Sequence, residues 1–308
     1  MATLGLDIGG ANLKAALSTG EAVTAAFPLY RRPQELASAL ASLASRLPAA
    51  SRLAVTMTGE LCDCFQTKRD GVRHILAACA RAFPGASISV WTTRGQLVSP
   101  EVAEAAWIET ASANWLALAT FAGRYAPPGR CTLLDIGTTT TDLIPLTDGV
   151  PSPVARTDVG RLSSGELVYL GWRRTPVCAL YPEGAAELFA TTLDVCLALG
   201  LVPEGPADTD TADGQPATQS CALRRLARMR CASLEELTEA EVLDLARVLH
   251  GRLLSRLKPP EGPVLLSGSG SFLLESACPG AVRLDQALGR PLSEAACAYS
   301  VAMLLEAA

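Results

Sequence analysis

Gly5-Leu6-Asp7-Ile8-Gly9-Gly10-Ala11-Asn12-Leu13-Lys14 stands near the start of the chain, and its design returns as Leu133-Leu134-Asp135-Ile136-Gly137-Thr138-Thr139-Thr140-Thr141-Asp142. In both, an apolar run delivers an aspartate to the end of a strand, and a glycine corner follows. Gly9 and Gly10 permit a tight turn whose N–H groups face an anion. Lys14 lies beyond the first turn as a compact positive charge. In the second copy Thr138 and Thr139 offer hydroxyl donors, and Asp135 can hold a metal through water. One supersecondary unit repeated at this separation predicts a duplicated architecture.

Working outward, the pattern predicts strands at 3–8, 11–17, 21–27, 52–58 and 87–91 and helices at 33–47, 71–83 and 111–125 in the first half. It then predicts strands at 131–136, 140–146, 152–157 and 263–267 and helices at 219–229, 234–256, 271–278 and 291–306. Residues 203–218 (PEGPADTDTADGQPAT) read as a surface loop or a lid, and their acidic residues miss the spacing of a calcium loop. Val264-Leu265-Leu266-Ser267-Gly268-Ser269-Gly270-Ser271 runs a buried strand into a glycine turn and a helix start, where unpaired N–H groups favour an anion or a ribose.

The bulk numbers agree with a folded globular protein. The 308 residues suffice for two lobes with separate cores. Hydrophobic residues make up 49% and charged ones 19%, outside the disordered range. A net charge of −5 disfavours a nucleic-acid partner, which selects a basic face. The first residues lack the basic segment of a signal peptide, and no apolar run approaches the ~20 residues of a membrane span. A cytoplasmic, membrane-free protein is expected. Its ten cysteines then default to thiols, and Cys62-Asp63-Cys64 lacks zinc-site spacing.

Taken together, the Asp7, Asp135 and Gly268 segments resemble the phosphate-1, phosphate-2 and adenosine segments of the acetate kinase/sugar kinase/Hsp70/actin superfamily. That resemblance implies an α/β, two-lobed actin-like ATPase (ribonuclease H-like) fold with a cleft between duplicated lobes. The lobes are expected at 1–126 and 127–290, with the final helix within 291–308 at their junction. It also implies Mg²⁺ between Asp7, Asp135 and Asp142, and a phosphate cradle of Gly9, Gly10, Asn12, Lys14, Gly137, Thr138, Thr139, Gly268, Ser269 and Gly270. ATP or ADP is possible there without being required.

Further segments narrow the family. They are Thr56–Phe65 with Lys68, Gly71 and Val72; Thr157-Asp158 with Arg161-Leu162, Gly165–Tyr169 and Arg174-Thr175-Pro176; Asp210–Gly214; Arg225–Met229; and Ser112–Trp115. The combination resembles the hydantoinase/oxoprolinase-related proteins of the tetrahydromethanopterin-linked one-carbon pathway, including the methanofuran-biosynthesis branch. The resemblance implies a transferase that joins an aminomethyl-furan-methanol diphosphate to the phenol of a tyramine or tyrosine derivative, with diphosphate released. The partners would then be small molecules: a furan diphosphate and a phenolic amine.

On that reading Asp63, Glu60 and Asp158 are candidate bases, and Lys68 faces the phosphates. Phe65, Trp115, Tyr169, Trp107 and Trp172 are candidate walls for the aromatic rings, and Arg173 and Arg174 can meet a carboxylate. Other readings stand beside these: Glu60 and Asp63 as helix N-terminal charges, the tryptophans as core, and the arginines as a solvated pair. An ATP-dependent small-molecule kinase or oxoprolinase-like hydrolase, and a non-enzymatic nucleotide-gated regulator, are the alternative functions. The sequence carries nothing on oligomeric state.

Overall fold

The computed structural model describes residues 2–257 and 261–308. The lobe limits read from the sequence also take in Met1 and 258–260, which lie outside the described residues. The first sheet contains β1 (Thr3–Ile8), β2 (Asn12–Leu17), β3 (Ala22–Ala26), β4 (Arg52–Met57), β5 (Ser87–Trp91) and β6 (Leu97–Val98), in the order β3-β2-β1-β4-β5-β6. The β1–β2–β3 meander is antiparallel, whereas β1, β4 and β5 run parallel. The second sheet repeats this plan with β7 (Arg130–Ile136), β8 (Thr141–Thr147), β9 (Val150–Pro151), β10 (Leu167–Val168), β11 (Val264–Ser267) and β12 (Val282–Arg283). Its order is β10-β8-β7-β11-β12, and β9 pairs with the far end of β8. This is the duplicated, two-lobed α/β architecture of the actin-like ATPases.

The helices are α1 (Leu36–Ala44), α2 (Lys68–Ala82), α3 (Pro100–Ala105), α4 (Trp107–Thr110), α5 (Asn114–Ala122), α6 (Asp158–Ser164), α7 (Thr192–Ala198), α8 (Gln219–Arg228), α9 (Glu239–Arg256), α10 (Leu284–Leu288), α11 (Arg290–Glu294) and α12 (Ala296–Glu306). Strand alternation decides what each sheet face meets. Leu4, Leu6 and Ile8 of β1 point outward into a core shared with α1 and α2. Leu134 and Ile136 of β7 do the same against α7, α8 and α9. Leu133, Ile144, Leu146 and Leu265 face inward to a third core that holds α5, α12 and Ala54 of β4. Asp7 and Asp135 occupy the alternate, inward positions of their strands. Both therefore point toward the layer between the sheets.

That inner layer is thin because its residues are small. A Cβ placed on Gly5 would lie 1.8 Å from the carbonyl oxygen of Ala298, so β1 and α12 touch backbone to backbone. Ala16, Ala295 and Ala298 complete this contact. Gly123 and Gly149 make a second such approach, where the end of α5 meets the β8–β9 turn.

Several elements depart from the sequence expectation. Residues 152–157 form no strand, because Glu166 accepts hydrogen bonds from the N–H groups of Val154 (2.6 Å) and Ala155 (3.0 Å). The place beside the start of β8 goes to β10 instead. The 291–306 helix is split at Ala295 (φ −111°, ψ 28°). The predicted 271–278 helix is one 3₁₀ turn, Ser271–Leu274. The 234–256 helix starts at Glu239, where Thr238 and Glu241 form a capping box. The 71–83 helix starts earlier, at Lys68, capped by Thr67. β6, α3 and α4 were not foreseen, nor were β9, α6, β10, α7, β12 and α10.

The 203–218 segment is strapped down by arginines. Arg173 grips both oxygens of Asp208 (3.0 and 2.8 Å), and Arg174 takes Asp210 (2.6 Å). Arg225 (3.0 Å) and Arg228 (3.1 Å) hold Asp213. Four cations of the same lobe thus fix a stretch whose composition alone reads as loose.

Gly5→Ala should cost roughly 2–4 kcal/mol of stability, since the added methyl overlaps main-chain atoms that cannot move independently. Gly251→Ala, in α9 with open space around its Cα, should gain up to about 1 kcal/mol from helix propensity. Urea denaturation of the two variants checks the contrast.

Candidate functional site

The β1–β2 and β7–β8 corners open on one cavity of about 440 Å³ between the lobes. Gly9 N–H donates to the Asn12 carbonyl (3.0 Å) in the first turn, and Gly137 N–H donates to the Thr140 carbonyl (2.8 Å) in the second. A Cβ on Gly9 would sit 2.9 Å from the Asn12 oxygen, and one on Gly137 would sit 3.2 Å from the Thr140 oxygen. The side chains at the two corners are in register too: Asp7 lies opposite Lys14, and Asp135 lies opposite Asp142.

The same positions carry different charges in the two lobes. Lys14 stands 3.7 Å from Asp7. Burial works against its ammonium, but the Asp7 and Asp135 carboxylates outweigh that and hold it above its ordinary range. Asp142 puts a second carboxylate beside Asp135, and Arg161 of α6 meets it at 2.7 Å. Burial pushes Asp135 up to about 6, with Asp142 adding to the rise and Ser267 opposing it. Asp7 is raised by burial as well, and its Oδ1 has no partner among the described residues.

The lobes meet again at the mouth. Lys68 Nζ donates to Asp158 Oδ2 of the other lobe at 2.9 Å and lies 3.8 Å from Glu60. Glu60 is fully buried, its carboxyl raised by that burial. Ser112 donates its hydroxyl to Glu60 (2.7 Å) from a left-handed backbone (φ 49°), a strained conformation of the kind that gathers at binding sites. Asp158 lines the cavity.

Of the residues singled out in the sequence, the structure brings Asp7, Gly9, Gly10, Asn12, Lys14, Trp115, Asp135, Gly137, Thr138, Thr139, Asp142, Asp158, Tyr169 and Arg174 to the cavity wall. Glu60 and Lys68 sit just behind it, through Ser112 and Asp158. Asp63 does not reach it and is exposed. Phe65 turns instead to the first core and rests on His74, with ring centres 5.2 Å apart. Trp107 also belongs to that core.

Gly268, Ser269 and Gly270 are likewise outside the wall. Gly268 packs on the Ile136 carbonyl, and Gly270 N–H donates to that same oxygen (2.8 Å). Trp172 packs against Gly270 and donates its indole N–H to the exposed Ser269 (2.8 Å). Asp7, Asp135 and Asp142 do not form a three-carboxylate metal shell: among the described residues no three His, Cys, Asp or Glu side chains converge in that way. Asp142 is engaged by Arg161.

A divalent cation nevertheless suits the pair that is left. The unpartnered Asp7 Oδ1 and the Asp135 carboxyl held up by burial are hard oxygen donors that a Mg²⁺ with its own waters would satisfy.

Sequence reasoning missed Arg161, Cys297 and Tyr30 on this wall. Arg161 was signalled by spacing. Asp7 and Lys14 are seven residues apart (14 − 7), as are Asp135 and Asp142 (142 − 135). A second hairpin of equal length therefore sets two carboxylates face to face and demands a cation from elsewhere. Cys297 gave no such signal. Burial and the nearby carboxylates keep its thiol protonated, so it is a neutral wall.

Residues 52–258 match the hydantoinase/oxoprolinase family model. The chain belongs to the hydantoinase/oxoprolinase family. Within it, a (4-{4-[2-(γ-L-glutamylamino)ethyl]phenoxymethyl}furan-2-yl)methanamine synthase from Methanocaldococcus jannaschii is 30% identical over 98% of this chain and 97% of its own length. The synthase of the same name from Methanococcus vannielii is 29% identical over 57% of this chain and 90% of its own. Among solved structures, the nucleotide-free acetone carboxylase shares the fold over 97% of this chain and 70% of that one, with a TM-score of 0.51 and 12% identity. This hydantoinase/oxoprolinase-family chain also has no described helix long and apolar enough to cross a membrane.

The raised Asp135 carboxyl generates a pH test. Its folded value of about 6 exceeds its ordinary 3.8, so its favourable contribution is complete below about 3.8 and is lost as pH rises through about 6. In chelator-treated protein, Asp135→Asn should raise the melting temperature at pH 7.5 and change it much less at pH 4.5. Thermal melts at the two pH values measure the difference.

Proposed function

We propose that this protein is a transferase of methanofuran-type cofactor biosynthesis. It joins the furfuryl carbon of an aminomethyl-furan-methanol diphosphate to the phenol oxygen of a tyramine or tyrosine derivative and releases diphosphate. The observation that carries this reading is the near-complete alignment with a synthase whose name gives a phenoxymethyl-furan ether as its product. The cleft supports it with two glycine corners, flanking hydroxyls and buried cations, which together suit a polyphosphate.

In this reading the N–H group of Gly10, the hydroxyls of Thr138 and Thr139, and Lys14 hold the diphosphate, while the Gly9 and Gly137 N–H groups close the two corners. Mg²⁺ held by Asp7 and Asp135 would offset the charge that gathers on it as the C–O bond breaks. Asp158 takes the phenol proton, the phenol oxygen forms a bond to the furfuryl carbon, and the electron pair of the broken bond leaves with the diphosphate. Lys68 fixes the Asp158 carboxylate, and Glu60 with Ser112 fixes Lys68. Tyr169 and Leu61, both largely exposed at the cleft, flank the aromatic rings, and Trp115 backs them from the buried wall. Arg174 reads a substrate carboxylate when Asp210 releases it.

Incubation of the purified protein with the furan diphosphate, γ-glutamyltyramine and Mg²⁺ should give the ether by mass spectrometry, with stoichiometric diphosphate. Asp158→Asn should lower kcat by about 100-fold or more, as loss of a general base does. Steady ADP release from ATP, stimulated by a hydroxylic substrate and without ether, would instead establish the kinase alternative.

A further inference from the structure

Arg161 is 1% exposed and belongs to a helix of the second lobe, yet it forms part of the cleft wall. One nitrogen does its structural work: Nη2 donates to Asp142 Oδ1 (2.7 Å) and to the Glu166 carbonyl (3.2 Å). The guanidinium carbon lies over the Trp115 indole, 3.9 Å from the ring centre. Nε is buried with no partner, and Nη1 makes no hydrogen bond among the described residues. The Trp115 Nε1–H beneath it is also unpartnered. Buried donors left unpaired cost about 1–3 kcal/mol each, so two on one stack at a cavity wall point to an acceptor that arrives with a ligand.

The duplication says what kind of acceptor. In the first lobe the cation opposite the corner aspartate is Lys14, carried on the strand itself. In the second lobe that strand position is Asp142, and the positive charge is supplied from α6 by Arg161. Arg161 is thus the counterpart of Lys14 by charge and place, though not by chain position. Asp142 serves to orient it, which explains a carboxylate set directly across from Asp135.

We propose that Arg161, braced on Trp115 and Asp142, is a second phosphate-binding cation of the cleft, taking phosphoryl oxygens through its free N–H groups on the side opposite Lys14. The proposal rests on the reading of the cleft as a polyphosphate site. The ligand chemistry, two linked phosphoryl groups, is shared by a substrate diphosphate and a nucleotide. A purely structural Arg161, bracing α6 against β8, would need only its Nη2 contacts.

Calorimetric titration of the intact protein with inorganic diphosphate, and separately with ADP, in Mg²⁺ buffer tests this. Arg161→Lys keeps the charge and loses the guanidinium fork. The double variant Arg161→Gln/Asp142→Asn keeps the pair neutral and hydrogen-bonded, so it stays folded if a lone buried Asp142 would not. Both should bind the probe about 10- to 100-fold more weakly than wild type, with unchanged circular dichroism. Weakening seen with inorganic diphosphate supports the proposal with a diphosphate source. Weakening seen with ADP alone supports it with a nucleotide source. Affinities within about threefold of wild type for both probes overturn it, as does a wild-type protein that binds neither. Ether synthesis is scored separately, so a protein that binds diphosphate through Arg161 but makes no ether sinks the transferase reading and leaves this one standing.

Discussion

Two aspartates at facing strand ends, Asp7 buried and Asp135 half-buried, constrain much of the rest of this molecule. A carboxylate removed from water is tolerated only where opposite charge or hydrogen bonds replace the solvent. Asp7 meets Lys14 across its own hairpin, and Asp135 receives Ser267 and the field of that same lysine. Asp142, forced by register to lie beside Asp135, recruits Arg161 from α6. The cleft is therefore a set of charges whose balance passes from lobe to lobe.

The scaffold that keeps those charges near each other is made of small residues. Side chains alternate along β1 and β7, so large aliphatics face the outer helices while glycine, alanine and the aspartates face inward. The main chain of α12 can then lie directly on β1 at Gly5. A bulkier inner layer would hold the sheets further apart and move the two corners out of reach of one another.

Much of this was legible in the sequence, for physical reasons that also explain the gaps. The Asp-x-Gly corners, the buried strands and the thin final helix are local signals carried by a few adjacent residues, and they pointed to the right fold and to most of the cleft wall. Asp63 and Phe65 were read into the site through their nearness in sequence to Glu60. The 3₁₀ turn at Gly59–Leu61 and the start of α2 at Lys68 carry them out of it, one to solvent and one to the first core. The Gly268 turn was read into the site because glycine spacing cannot reveal that it packs on the Ile136 carbonyl and against Trp172, 97 residues away from Ser269, outside the cavity wall. The 203–218 stretch read as loose because its anchors, Arg173, Arg174, Arg225 and Arg228, come from other segments. Arg161 was hidden for the opposite reason: its meaning lies in a comparison of two hairpins, not in its neighbours.

The Lys68–Asp158 contact ties residues from opposite halves of the molecule. Any separation of the halves would part the carboxylate from its ammonium, and joining them would restore the pair at the rim. Under the proposed transfer, reactivity would then be confined to the shut form, where a furfuryl cation-like species would be screened from bulk water, whose attack would otherwise waste the activated alcohol by simple hydrolysis.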